Sequence, residues 1–415
     1  MASFLWVTIR RARRGSPQQP ASPPGGFAGR PVRRTARAHM VAASAAALVV
    51  LLSVLATGAA PAGAGVRAGA PAQSAFQAAI QHIVNDGVPG AIGYERHGSQ
   101  VTVTTSGLAD LATQTPMAAG DRVRIGSVTK TFVATVVLQL VAEHRLSLGD
   151  SVERWLPRLV PGGADITVQE LLQHTSGLYS YSSDPGFQQA LNADPTRVWQ
   201  PAELVRIAVA HPPVFPPGTS WAYSNTDYVL LGLIIQAATG HPVGQQLQAR
   251  IFTPLGLRDT YFPYANPHLR TPYAHGYLLG QPGATGPADS TVFSPSWAGA
   301  AGGIVSTAAD LARFSTALLS GRLLPAAQLQ QMMTTIPNAG GQGVGYGLGV
   351  ESVPLPCGTA WGHQGSFFGY FSNAFTTTGG TSQAVVLVNT DAGALSRQQQ
   401  IDIINAVVIG ICGGN

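Results

Sequence analysis

The run from Ser127 to Glu143 constrains this chain more than any other stretch. Phe132, Val133, Val136, Val137, Leu140 and Val141 recur at helical spacing and cover so much of the circumference that the helix must be mostly buried, as a central helix is. Its first turn carries Ser127 and Lys130, three residues apart and therefore on one face at the N-terminus. Lys130 is the single lysine among 24 basic residues; all the others are arginine. A serine hydroxyl is a weak nucleophile until a neighbouring base takes its proton. An amine does this when neutral, and burial or the positive end of a helix drives it toward that state, whereas a guanidinium stays charged. The same spacing also describes a helix-capping serine followed by a solvated lysine, since serine caps helices well.

Around this helix the apolar pattern changes period. Phe76 to Val84 reads as a first helix, then Ala91 to Tyr94 and Gln100 to Ser106 as a hairpin turning at His97-Gly98-Ser99. Helical pieces at Val168 to Leu172, Ala202 to Ala210 and Tyr228 to Ala238, divided by Pro- and Gly-rich loops, predict a mainly helical insertion over about residues 145–290. A helix from Thr307 to Leu319 follows. Strands are then expected at Val344 to Glu351, Phe367 to Thr376 and Gln383 to Asn389, and a closing helix at about Gln398 to Ile409. The fold class is α+β: a sheet built from both ends of the chain, with a helical insertion between.

The formal net charge of +5 points toward nucleic acid or a membrane surface until the arginines are located. Eight of them precede residue 40, where no acid occurs, and without these the chain holds 16 basic against 19 acidic residues. A nucleic-acid role loses its support. After the arginines comes an uncharged stretch from Met40 to Ala64, most apolar at Ala45 to Leu55 and ending in Ala62-Gly63-Ala64. Residues 1–64 therefore read as an export signal with a long basic n-region, cleaved after Ala64, and 65–75 as a spacer before a catalytic domain at 76–415. An uncleaved membrane anchor is the alternative, because the run is just long enough to span a bilayer. Translation from Met40 would shorten the basic region, and Arg33-Arg34 is a weak twin-arginine hint. In an exported chain Cys357 and Cys412 are expected to form a disulfide, with two buried thiols as the alternative.

Two further motifs bear on Ser127 and Lys130. Tyr223-Ser224-Asn225 stands on a loop before a helix, where a phenol beside a cation can ionise partly and relay protons and an amide can bind a substrate amide. His363-Gln364-Gly365-Ser366 enters a strand, with Gly365 letting substrate backbone approach and His363 facing the cleft as a polar or cationic group. Taken singly, these are also a turn with a core tyrosine and a structural histidine.

In this order the three motifs resemble the serine β-lactamase and penicillin-binding superfamily, with its S-x-x-K, S-D-N and K-T-G signatures, over about residues 75–412. The Y-S-N and H-Q-G variants look most like the class C β-lactamase branch, and among it secreted D-alanyl-D-alanine carboxypeptidases. Leu171 to Leu178, Pro254 to Thr260 and Gly302 to Leu311 look like further stretches of this branch, which makes His174 structural. The resemblance implies an antiparallel sheet flanked by helices with an inserted helical domain. It implies Ser127 as acylated nucleophile, Lys130 as base, Tyr223 as proton relay, and Asn225, His363 and Gly365 as substrate contacts. The backbone N–H groups of Ser127 and Ser366 would form the oxyanion hole.

The expected function is a D-alanyl-D-alanine carboxypeptidase acting outside the cytoplasm on peptidoglycan stem peptides, as a monomer and without a cofactor. A class C-like β-lactamase or short-chain esterase taking small β-lactam or ester substrates is the alternative, and a non-catalytic peptidoglycan-binding protein on the same scaffold is the third reading. A carboxypeptidase must hold a carboxylate, yet no Lys or Arg occurs between Arg322 and Arg397. No ligand set with zinc-like spacing is visible and no metal is expected.

Overall fold

The computed structural model describes residues 73–281, 285–341 and 343–413. The segment 1–64, read above as an export signal, lies outside the described residues, as does most of the spacer. Among the described residues no helix is long and apolar enough to cross a membrane.

Nine strands form one antiparallel sheet: β1 (Gly90–His97), β2 (Gln100–Asp110), β3 (Thr115–Pro116), β4 (Ile336–Gly341), β5 (Val344–Tyr346), β6 (Glu351–Leu355), β7 (Gly358–Phe367), β8 (Tyr370–Thr377) and β9 (Ser382–Val388). Their spatial order is β3-β2-β1-β9-β8-β7-β6-β5-β4, so the two ends of the chain meet where Ala91 of β1 pairs with Val388 of β9. The period of two places alternate residues on opposite faces. Along β9, Val385 and Leu387 enter one core, while Ala384, Val386 and Val388 enter a second.

The second core is closed by the two terminal helices. In α1 (Ala75–Asn85), opened by a Ser74/Gln77 capping box, the stripe Phe76, Ile80 and Ile83 is buried against the sheet. Gly93 in β1 lies directly beneath, where a Cβ would stand 2.6 Å from Ile80. On the other face lies α2 (Thr129–Ala142), in which Phe132, Val133, Val136, Val137 and Leu140 are all buried. It packs on α3 (Asn225–Thr239), while α4 (Ala308–Leu319), capped by Thr307, lies against β8 and β9. The last helix, α5 (Arg397–Cys412), returns to the second core beside α1. Shorter helices, among them Val168–Gln173, Pro185–Ala193 and Pro201–Val209, stand between α2 and α4. Cys357 is bonded to Cys412, so the β6–β7 turn is joined to the end of α5.

Two expectations for the sheet need correction. The single strand expected over Val344 to Glu351 is two strands, β5 and β6, broken at Gly347-Leu348-Gly349. Gly349 has φ +76°, and a Cβ there would stand 2.6 Å from both Ala134 and the Tyr228 hydroxyl. The hairpin turn is the two residues Gly98-Ser99, with His97 already paired to Gln100.

Candidate active site

Ser127 sits in a short 3₁₀ turn, Gly126–Val128, that leads into α2. Neither helical segment there carries a side-chain capping bond, and Lys130 is fully buried, so the capping-serine and solvated-lysine reading does not describe this turn. The turn is pressed against β7 through two glycines. Gly126, at φ +51°, faces Ser366, whose carbonyl oxygen would be 2.5 Å from an added Cβ. Gly365 faces back, and its Cβ would meet the Ile125 oxygen at 2.0 Å and the Ser127 nitrogen at 2.7 Å. Gly365, expected to admit substrate backbone, has a use within the fold besides: the atom it lacks would occupy the turn that carries Ser127. The same approach brings the backbone of Ser127 beside that of Ser366, the two residues expected to supply the oxyanion donors.

Lys130 Nζ lies 3.1 Å from Ser127 Oγ, 2.8 Å from Asn225 Oδ1 and 2.7 Å from the Ala301 carbonyl. The two carbonyl oxygens can only accept. A neutral amine has two N–H bonds for them and a lone pair for the third direction, toward the Ser127 hydroxyl. Burial pushes the Lys130 pKa well below its ordinary value, against the pull of Asp227 and Glu351, which favours this neutral form. Asn225 turns its amide nitrogen to Ser182 Oγ at 2.9 Å, so it bridges the base and the opposite wall.

Tyr223 is hydrogen-bonded to the Ser127 side chain, and the Lys130 Nζ is 4.7 Å from its ring centre. Burial drives its phenol pKa well upward. The expected partial ionisation of Tyr223 is corrected accordingly: burial works against ionising this phenol. Its ring rests on His174, with centroids 4.4 Å apart. His174 is buried, and its Nδ1 shares a 2.8 Å hydrogen bond with Asp227, which also accepts from Ser176 Oγ at 2.6 Å. His174 therefore positions Tyr223 and touches neither Ser127 nor Lys130 by hydrogen bond.

His363 is 1% exposed and lies behind Tyr223, its Nε2 accepting from the Tyr346 hydroxyl at 3.1 Å. Burial, with Lys130 adding to it, pushes its pKa down to about 3. The expectation of a cationic His363 facing the cleft is corrected on both counts, because the ring is enclosed and neutral. Glu351 Oε1 stands 3.8 Å from His363 Nδ1, and burial raises the Glu351 carboxyl to about 8. Sequence reasoning missed Glu351 and Asp227. Asp227 lay two residues beyond Asn225 on the same helix, a signal that was available; Glu351 is a lone acid at the head of a strand and carried none.

A pocket of roughly 600 Å³ with its open mouth included lies against Ser127, Asn225 and Ser366. Its walls are apolar at Phe187, Leu191, Trp297 and Phe368, and Ser182, Gln188 and Asn192 are its neutral polar groups. Gln188 and Asn192 are one turn apart on the helix Pro185–Ala193, and Gln188 Nε2 donates to the Ser182 carbonyl at 2.9 Å. Among the described residues that line it, none carries a formal charge.

A serine with a buried lysine one turn away and a tyrosine beside its hydroxyl, set against the inner strand β7 of an antiparallel sheet, has the arrangement of a Ser-x-x-Lys site suited to acyl transfer. Residues 76–408 match the Beta-lactamase family, and the chain belongs to it. It is similar to the crystal structure of a D-stereospecific amidohydrolase from Streptomyces sp., with 41% identity and a TM-score of 0.74 over 83% of this chain and 99% of the other. The D-amino acid amidase of Ochrobactrum anthropi SV3, complexed with D-phenylalanine, gives 29% identity and a TM-score of 0.72 over 82% and 100% of the two chains. Esterase EstB of Burkholderia gladioli is 36% identical over 200 residues, 45% of this chain and 49% of the esterase. The alignment with that curated relative thus spans about half of its length.

Proposed function

We propose that the chain is a serine amidohydrolase that cleaves small amides or esters whose acyl part is apolar and uncharged near the reacting carbonyl, with preference for the D configuration. The observation that carries this reading is the pocket beside Ser127, aromatic and aliphatic in its walls and free of charged side chains among the described residues. The amidohydrolase and amidase similarities agree with it. A D-alanyl-D-alanine carboxypeptidase needs a cation for the terminal carboxylate. With His363 enclosed, the pocket offers none among the described residues, so that finer reading has less support. The 3.1 Å contact between Lys130 and Ser127 argues for catalysis over a purely binding role.

In the reaction Ser127 Oγ attacks the carbonyl carbon while its proton passes to the Lys130 amine. The charge that develops on the carbonyl oxygen is met by the Ser127 and Ser366 N–H groups, each such donor contributing about 3 kcal/mol in comparable sites. The C–N or C–O bond then breaks, the leaving amine or alcohol taking a proton through Tyr223. Water adds to the acyl-serine by the reverse route and releases the acid. The basic-then-apolar residues 1–64 and the disulfide support a place of action outside the cytoplasm.

The test offers D-phenylalanine amide, its L enantiomer, a nitrophenyl ester, a D-Ala-D-Ala peptide and benzylpenicillin to the purified chain. Turnover of the D-amide at least tenfold above the L-amide, lost in Ser127→Ala, is the expected outcome. D-alanine release as the dominant activity would replace this reading with the carboxypeptidase.

A further inference from the structure

Three side chains on the outer helices converge away from the catalytic pocket. His82 stands in the last turn of α1 and Asp86 caps that helix's C-terminus four residues later, so the two lie side by side; Asp402 projects from α5 beside them. His82 Nε2 is 3.9 Å from Asp86 Oδ2 and 3.9 Å from Asp402 Oδ2, and the three candidate ligand atoms all lie within 4.8 Å of one another. His82 and Asp86 are open to solvent, at 59% and 32% exposure of their side chains, which gives an ion its entry path.

Asp402 is different. Its side chain is only 7% exposed. Its Oδ1 accepts from Gln398 Nε2 at 2.9 Å, while Oδ2, equally enclosed and directed at the cluster, has no hydrogen-bond donor among the described residues. A buried carboxylate oxygen left without a donor is costly, and a cation removes that cost. We propose that His82 Nε2, Asp86 Oδ2 and Asp402 Oδ2 form a three-ligand site for a divalent transition metal, zinc by preference, which ties α1 to α5 over the second core. Imidazole with carboxylates suits zinc, and water completes the tetrahedron. At metal–ligand distances of about 2.0–2.2 Å, tetrahedral ligand atoms stand about 3.3–3.6 Å apart. Small rotations of the two exposed side chains supply that closure. His82 and Asp402 are separated by most of the chain, so no sequence spacing announces the set.

Zinc chloride titrated calorimetrically into the full chain, stripped beforehand with a chelator, tests the site. One equivalent should bind with a Kd of about 10 μM or tighter, and saturating zinc should raise the thermal midpoint by several degrees, because an ion that binds the folded chain stabilises it by mass action. His82→Ala, a change at an exposed position, and Asp402→Asn should each weaken binding at least tenfold and abolish the thermal shift. Zinc binding of equal strength in His82→Ala, or no binding below about 100 μM, would overturn the proposal and leave His82 and Asp402 as an ion pair.

Discussion

In the proposed reaction Lys130 acts as a base inside a cluster that contains two acids, and the balance between them is set residue by residue. Ionised Glu351 favours keeping protons on Lys130, Tyr223 and Tyr346, all of which it influences; Asp227 acts on Lys130 in the same sense. Burial also pushes the pKa values of His174 and His363 down, towards the neutral ring, and that of the Tyr228 phenol up. The raised Glu351 carboxyl is ionised only above about pH 8, so Glu351→Gln keeps the uncharged form that the site holds below that pH. The acid limb of kcat/KM, which reports the amine becoming free, should therefore keep its position with KM little changed. A limb that moves to lower pH in Glu351→Gln would show that Glu351 is ionised beside Lys130 where the chain works. Stability gives a second sign. The folded carboxyl titrates at about 8 against 4.5 for the ordinary group, so its contribution is fully present below about 4.5 and is lost as pH rises to about 8. The urea midpoint should therefore fall less between pH 5 and pH 9 in Glu351→Gln than in the parent chain.

Between elements, the decisive contact is the one that glycine makes possible at both ends, Gly126 on the nucleophile's turn and Gly365 on β7. Gly365→Ala places a methyl group 2.0 Å from the Ile125 oxygen and 2.7 Å from the Ser127 nitrogen, both of them backbone atoms that cannot rotate away. The turn must shift, and a misplacement of even 1 Å at a nucleophile costs about 10²-fold. Acylation of Ser127, followed by intact mass, should slow by at least tenfold in Gly365→Ala, while far-ultraviolet dichroism shows the helices intact. Unchanged acylation would mean that β7 does not set the nucleophile. This junction also marks what a sequence can and cannot declare. Helical periodicity made α2 and α3 legible, and the Ser127–Lys130 pair followed from one turn of helix. The H-Q-G motif was legible as chemistry but not as geometry, because a glycine's use depends on which segment packs against it. Gly347 and Gly349 were hidden within an alternation that read as one strand, since the partners excluding a side chain there, Met332 and Ala134 with Tyr228, come from elsewhere in the chain.

At the scale of the whole molecule, the sheet separates two cores with different duties. One contains α2 and supports the catalytic turn; the other is closed by α1 and α5 and pinned by Cys357–Cys412, which spans 55 residues of sequence. A loop of that length corresponds to about 4 kcal/mol of stabilisation in the chain-entropy account. Neither cysteine lines the pocket, and the bond acts mainly by limiting the unfolded chain, so stability and chemistry should separate. The Cys357→Ser, Cys412→Ser double variant should lower the urea unfolding free energy by about 2–5 kcal/mol while acylating Ser127 at the parent rate at 25 °C. Loss of acylation in a variant that remains folded would show instead that closure of the second core is transmitted through β7 to the nucleophile, since that strand begins one residue after Cys357 and ends beside Gly126.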